Sequence, residues 1–148
     1  MTPTDETDSK HQRYHGLRKR FLVVSMAGVA LAWARLRPFR AVVEGESMMP
    51  TLGPGEFLVG IKNGTIRVGS LVVMEHPDRP GYEMVKRVAA GPGDRVGARV
   101  LGANEYWVLG DNPAESTDSR SFGPVGRRSL KGVVRARYWP ASRLAWFG

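Results

Sequence analysis

Apolar residues are distributed along this chain in two textures. Residues 21–34, FLVVSMAGVALAWA, form fourteen consecutive positions without a charge. Beyond Pro38 the apolar residues come instead in short runs, many rich in Val, Ile, Leu and Tyr, broken by Gly, Pro, Asn and Asp. The first texture predicts one short hydrophobic helix near the N-terminus, and the second predicts strands, because no later segment keeps a helical period over a useful length. Strands are expected at residues 39–43, 57–61, 71–74, 84–89, 95–100, 106–109 and 133–139. The turn signals between them are Gly53-Pro54-Gly55, Asn63-Gly64, residues 78–81, Gly91-Pro92-Gly93 and Asp111-Asn112-Pro113. Such spacing points to a mostly β fold, a closed or coiled antiparallel β domain preceded by one short hydrophobic helix.

Charge changes the meaning of the apolar run. The 148 residues carry 22 basic and 14 acidic side chains, a net charge of +8. Much of it brackets residues 21–34: Lys10, Arg13, Arg18, Lys19 and Arg20 lie before, and Arg35, Arg37 and Arg40 after. That layout suits lipid headgroups better than a nucleic-acid groove, so membrane lipid is the expected partner and nucleic acid is not. As a helix the run would reach about 21 Å at 1.5 Å per residue, against a hydrocarbon core of about 30 Å. Snorkelling by Arg20 and Arg35, or Trp33 at the interface, would help to close the gap. A cleaved secretory signal is the rival reading, but the bulky, basic ARLRPFR that follows offers no small-x-small cleavage site. A buried core helix is the other alternative. The expected organisation is a basic polar tail at 1–20, a membrane-anchor candidate at 21–36 and a β-rich domain at 37–148.

The absence of cysteine removes thiol catalysis, disulfides and thiolate metal sites together. His11, His15 and His76 do not fall at a metal-ligand spacing such as H-E-x-x-H. The glycine-rich stretch at residues 91–97 lacks the Lys-Ser/Thr of a phosphate loop and reads as a hairpin turn. No cofactor or metal is called for.

Three other segments carry polar residues that a plain sheet does not need. In the first, Glu44-Gly45-Glu46-Ser47-Met48-Met49-Pro50-Thr51-Leu52, a serine follows a strand between Gly45, which permits unusual backbone, and Pro50, which restrains it. An ordinary Ser/Pro turn would look similar. In the second, Met84-Val85-Lys86-Arg87-Val88, strand alternation puts Lys86 on the same face as Met84 and Val88. Burial there disfavours the ammonium form, and a buried lysine with a pKa brought down to about 7 to 8 serves as a base near neutrality; a solvated lysine on an edge strand is the plainer alternative. The third, residues 110–123 (GDNPAESTDSRSFG), is dense in short hydrogen-bonding side chains. Asp118 and Arg120 could brace such a loop or form only a surface pair worth about 0 to 1 kcal/mol.

Taken in order, S-M-x-P-T, then K-R-V with a G-x-P-G-D turn, then G-D-N-x-x-x-S-x-D-S-R-x-F-G, the three segments resemble the signal peptidase I family of Ser/Lys serine proteases over roughly residues 42–139. That resemblance implies the coiled β domain that signal peptidases share with self-cleaving repressors. By position it makes Ser47 the nucleophile, Lys86 the general base, Ser116 the hydroxyl that orients the lysine amine, and Asp118 with Arg120 the supporting bridge. Val43, Met48, Leu52, Met84 and Val85 become candidates for shallow pockets that accept small side chains. Gly45 stands where some members carry a serine that donates to the oxyanion hole, so oxyanion stabilisation falls to backbone N–H groups, that of Ser47 among them. Between Lys86 and Gly110 there is no room for the large second β domain inserted in some relatives.

The expected function is therefore a membrane-associated serine endopeptidase that removes signal peptides from exported preproteins after small side chains. Its partners would be preprotein or leader-peptide substrates and lipid, with the N-terminus cytoplasmic and the β domain outside. The alternatives are a cytoplasmic maturation protease of the same fold, of the kind that trims the leader of nickel superoxide dismutase, and a non-catalytic β-domain binding module.

Overall fold

The computed structural model describes residues 34–148; the tail and most of the apolar run, on which the anchor expectation rests, lie outside the described residues. The chain divides into two units, Met1–Leu36 and Arg37–Gly148. Of the first, residues 34–36 are described and are helical. No helix among the described residues is long and apolar enough to cross a membrane.

The second unit is an antiparallel β domain built on β1 (Pro38–Val42), β2 (Phe57–Ile61), β3 (Leu71–Glu75), β4 (Glu83–Ala90), β7 (Glu105–Leu109), β8 (Val125–Gly126), β9 (Leu130–Trp139) and β10 (Ala145–Trp146). The sheet order is β1-β2-β9-β3-β4-β7-β8, with β10 added to β9. The ten-residue β9 is the spine: Trp139 to Val133 pair with β2, and Val133 to Leu130 pair with β3. Register shifts in the β2–β9, β3–β9 and β4–β7 ladders bend and twist the strands as bulges do, so the sheet coils and buries both its faces. Adjacent residues of β3 accordingly serve different cores. Val73 packs with Val43, Met48, Leu52, Leu58, Leu71 and Val134, while Val72 and Met74 pack with Val88, Val108, Val125, Leu130 and Val133. That is why LVVM is buried throughout rather than alternating.

The expected strand at residues 95–100 is instead a tight hairpin, β5 (Arg95–Val96) against β6 (Arg99–Val100), reversed through Gly97 and Ala98. Three of the short elements have no counterpart in the sequence reading: the two-residue β8 and β10, each too short to show a period, and the single helical turn α1 (Ser119–Phe122). The Asp118 side chain caps α1 by accepting from the Arg120 N–H.

Candidate active site

Ser47 sits in the loop between β1 and β2, and Lys86 on β4, where its Cα pairs with Val72 in the centre of the sheet. Lys86 is 2 % exposed. Its Nζ lies 2.9 Å from Ser47 Oγ and 3.1 Å from Ser116 Oγ. Burial lowers the pKa of Lys86; the charge of Asp118 pulls it back up and that of Arg120 pushes it down, and the net direction is downward. The alternation that put Lys86 beside Met84 and Val88 in the sequence is thus the reason its charge is disfavoured.

Ser116 Oγ donates to Asp118 Oδ2 at 2.8 Å. With its proton committed there, Ser116 offers Lys86 only lone pairs and accepts an amine N–H. A neutral Lys86 amine then has its own lone pair free to take the Ser47 hydroxyl proton. Asp118 is fully buried and accepts from Gly110 N–H at 2.9 Å, Arg120 N–H at 3.1 Å, Arg120 Nε at 2.9 Å and Arg120 Nη2 at 2.6 Å. Burial alone would raise its pKa, but the bonds from Arg120, Gly110 and Ser116 outweigh it and hold the carboxyl well below the usual range. Its charge is therefore permanent at working pH.

Two glycines place the backbone. Gly45 has φ of 78°, a conformation that costs glycine little, and it turns the chain out of β1 toward Ser47. Gly110 lies where the third segment crosses the Ser47 loop: a Cβ there would collide with Ser116 Oγ and lie 2.5 Å from Ser47 O. The crossing is tied by Asn112 N–H to Ser47 O at 3.0 Å and Asn112 Nδ2 to Glu46 O at 3.2 Å. The Ser47 N–H has no hydrogen-bond partner among the described residues and is available to an oxyanion.

A cleft of about 530 Å³ opens beside the pair. Residues 40–48 and Gly81 to Lys86 make up most of its lining, completed by Val73, His76, Arg79, Glu115 and Thr117. Of the five expected pocket residues, Val43, Met48, Met84 and Val85 line this cleft. Leu52 does not: it is wholly buried in the core with Leu58 and Val134, because the loop after Pro50 turns it inward.

The sequence reading missed two polar arrangements around the Ser47 loop. Arg87 grips Asp111 with Nε at 2.8 Å and Nη2 at 2.6 Å, and this fork, with the Thr51 hydroxyl, keeps the Asp111 pKa low despite burial. Arg87 was visible as the residue facing away from Lys86, but nothing local announces a partner 24 positions away. The second is Glu56 with Arg137 and Arg143; Glu56 follows Gly-Pro-Gly and passes for an ordinary turn carboxylate.

Comparison with known proteins bears on the same residues. The family described as signal peptidase, peptidase S26, matches residues 17–100 and 97–139. The chain belongs to that family. It is accordingly a serine peptidase, and the signal peptidase resemblance of the three segments extends over most of the chain. The mitochondrial inner membrane protease subunit 1 of Schizosaccharomyces pombe is 35% identical over 113 residues, covering 67% of this chain and 72% of that protein. Subunit 2 of Mus musculus is 33% identical over 121 residues, covering 70% and 68%. Signal peptidase IB of Staphylococcus aureus is 30% identical over 149 residues that take up only 68% of this chain and 77% of that enzyme; an alignment so much longer than the share of this chain it uses means that the staphylococcal enzyme carries inserted residues.

Proposed function

We propose that this chain is a membrane-associated signal peptidase that cleaves exported preproteins after small side chains, with Ser47 as nucleophile and Lys86 as general base. The observation that carries the reading is the buried Lys86 amine 2.9 Å from Ser47 Oγ, with its remaining geometry fixed by Ser116. The amine takes the hydroxyl proton as Oγ adds to the scissile carbonyl, and the Ser47 N–H faces the oxyanion. Lys86 then gives that proton to the leaving amine, which departs and leaves an ester on Ser47. Water, deprotonated by the same amine, attacks the ester, and the proton returns to Ser47 Oγ.

The cleft suits an extended peptide. Among the described residues β4 has no strand partner on its β7-facing side before Arg87, so the backbone at residues 83–85 can pair with a substrate strand. Val43, Met48, Met84 and Val85 wall the space next to the reacting atoms and leave room for small side chains, consistent with the small-x-small pattern of signal-peptide cleavage sites. The relatives named inner membrane proteases and signal peptidases support a membrane setting, for which residues 21–34 are the anchor.

The test is to incubate the full chain in detergent with presecretory peptides and cytoplasmic leader peptides and to map each cut by mass. Cleavage after small-x-small in the presecretory set is expected. Cleavage confined to cytoplasmic leaders would replace this reading with a cytoplasmic maturation protease.

A further inference from the structure

The loop that carries Ser47 is closed at its neck, where Val43 N–H donates to Glu56 O at 2.9 Å and Gly55 N–H to Val43 O at 2.9 Å. Within it Leu52 N–H reaches Met48 O at 2.8 Å, but the carbonyls of Pro50 and Thr51 are satisfied from outside the loop. Arg137, on β9, donates from Nη1 to Thr51 O at 2.6 Å and to Glu56 Oε2 at 2.9 Å, and from Nε to Arg143 O. Arg143 forms an ion pair through Nη1 with Glu56 Oε1 at 2.9 Å and donates from Nη2 to Pro50 O at 3.0 Å. One carboxylate and two guanidinium groups therefore fasten the loop to β9 and to the turn that follows it.

Glu56 and Arg137 are 3 % and 7 % exposed. Burying such a pair costs desolvation, and well-packed apolar residues often serve stability as well or better. What an apolar trio could not do is hold two backbone carbonyls at fixed positions. The opposite flank of the same loop is held by Asn112 N–H on Ser47 O and by Arg87 Nη2, 3.5 Å from Thr51 Oγ1. The loop is thus gripped from both sides, and Pro50 is only three residues from Ser47.

We infer that Glu56, Arg137 and Arg143 are positioning residues that fix where Ser47 Oγ falls relative to Lys86 Nζ. The inference rests on the Ser47/Lys86 reading above. Loosening the grip on Pro50 and Thr51 lets Ser47 drift out of reach of the amine, and misplacement by about 1 Å is enough to cost on the order of 100-fold in rate. Because these residues touch neither substrate nor reacting atoms, the loss belongs in kcat, with KM little changed.

The experiment uses the full chain in detergent and a presecretory peptide, comparing wild type with Arg143→Ala, Arg143→Lys, Arg137→Lys and Ser47→Ala. Arg99→Ala is the control, since it breaks only an exposed pair with Glu105. The Arg143 side chain is 43 % exposed, so its removal leaves the core intact; if Arg137→Lys does not fold, Arg143→Ala decides. Arg143→Ala should lower kcat about tenfold or more with KM within about twofold. Its Leu52 amide should exchange hydrogen faster while amides of β3 and β4 keep their wild-type rates. Arg143→Lys should recover part of kcat, because an amine can reach either Glu56 or Pro50 O but cannot bridge them as a fork does. Wild-type kcat in the folded Arg143 and Arg137 variants, with Ser47→Ala inactive, would overturn the positioning role alone. A lowered melting temperature with unchanged kcat would also overturn it, since that is what a merely structural brace gives. Turnover by Ser47→Ala would sink the dyad, and the positioning of that hydroxyl with it.

Discussion

Lys86 is held where three influences compete: burial lowers its pKa, Asp118 raises it and Arg120 lowers it. With the free amine as the proposed working form, kcat/KM should rise with pH along a limb that lies below the ordinary lysine range of about 10.4. Arg120→Ala removes a positive neighbour and leaves the Asp118 charge less neutralised. Both effects raise the Lys86 pKa, so the limb should move to higher pH; a pH profile that stays put or moves to lower pH would contradict the assignment. Stability follows the same linkage. Because the folded-state pKa is lowered, the native chain binds fewer protons than the unfolded chain between that value and about 10.4, and stability rises with pH through this window. Lys86→Met, which removes the buried charge, should therefore melt above wild type at pH 6, with the gap closing as pH rises; melting curves at two pH values check it. The burial of Lys86 could be read from its alternation with Met84 and Val88. The pairing of Arg87 with Asp111, and of Glu56 with Arg137, could not, because each joins residues that only the fold brings together.

Among the elements, the segment from Gly110 to Gly123 does the most to assemble the site. It supplies Ser116 and Asp118, crosses the Ser47 loop at Gly110 and Asn112, and anchors itself through the Ser119 hydroxyl, which accepts from Val108 N–H at 2.9 Å. Gly110→Ala should cost about 1 to 3 kcal/mol, as overpacking does, and most of the turnover, because the new methyl group displaces Ser116 and the Ser47 backbone together. Denaturant melts and peptide cleavage measure the two losses; a variant with normal stability and rate would mean that the crossing is looser than its distances imply. The residues of this segment stood out in the sequence through their order and density. The helical turn at Ser119–Phe122 did not, since four residues are too few to show a period. Residues 95–100 misled for a related reason: alternation is the same in one strand as in two halves of a hairpin, and only Gly97 marks the reversal.

For the whole molecule, a mostly β fold was legible from turn spacing, while the strand order was not. The pairing of β9 with both β2 and β3 joins residues far apart in the chain, and short apolar runs carry no address for their partners. The two cores on opposite faces of β3 likewise hid as one apolar run. The proposed membrane location of the molecule rests on residues 21–34 and on five basic residues before them against three after. That asymmetry favours a cytoplasmic N-terminus and an exported β domain. A phosphatase that works only outside the cytoplasm should be active when fused after Gly148; a silent phosphatase with a bright cytoplasmic reporter at the same point would reverse the orientation. The central claim is the division of labour between one hydroxyl and one amine, and peptide turnover by Ser47→Ala, Lys86→Met and Lys86→Arg tests it most directly, with circular dichroism to verify the fold. All three should be inactive while folded, Lys86→Arg included, because a guanidinium does not give up its proton at working pH. Near-wild-type cleavage by any one of them would contradict the dyad.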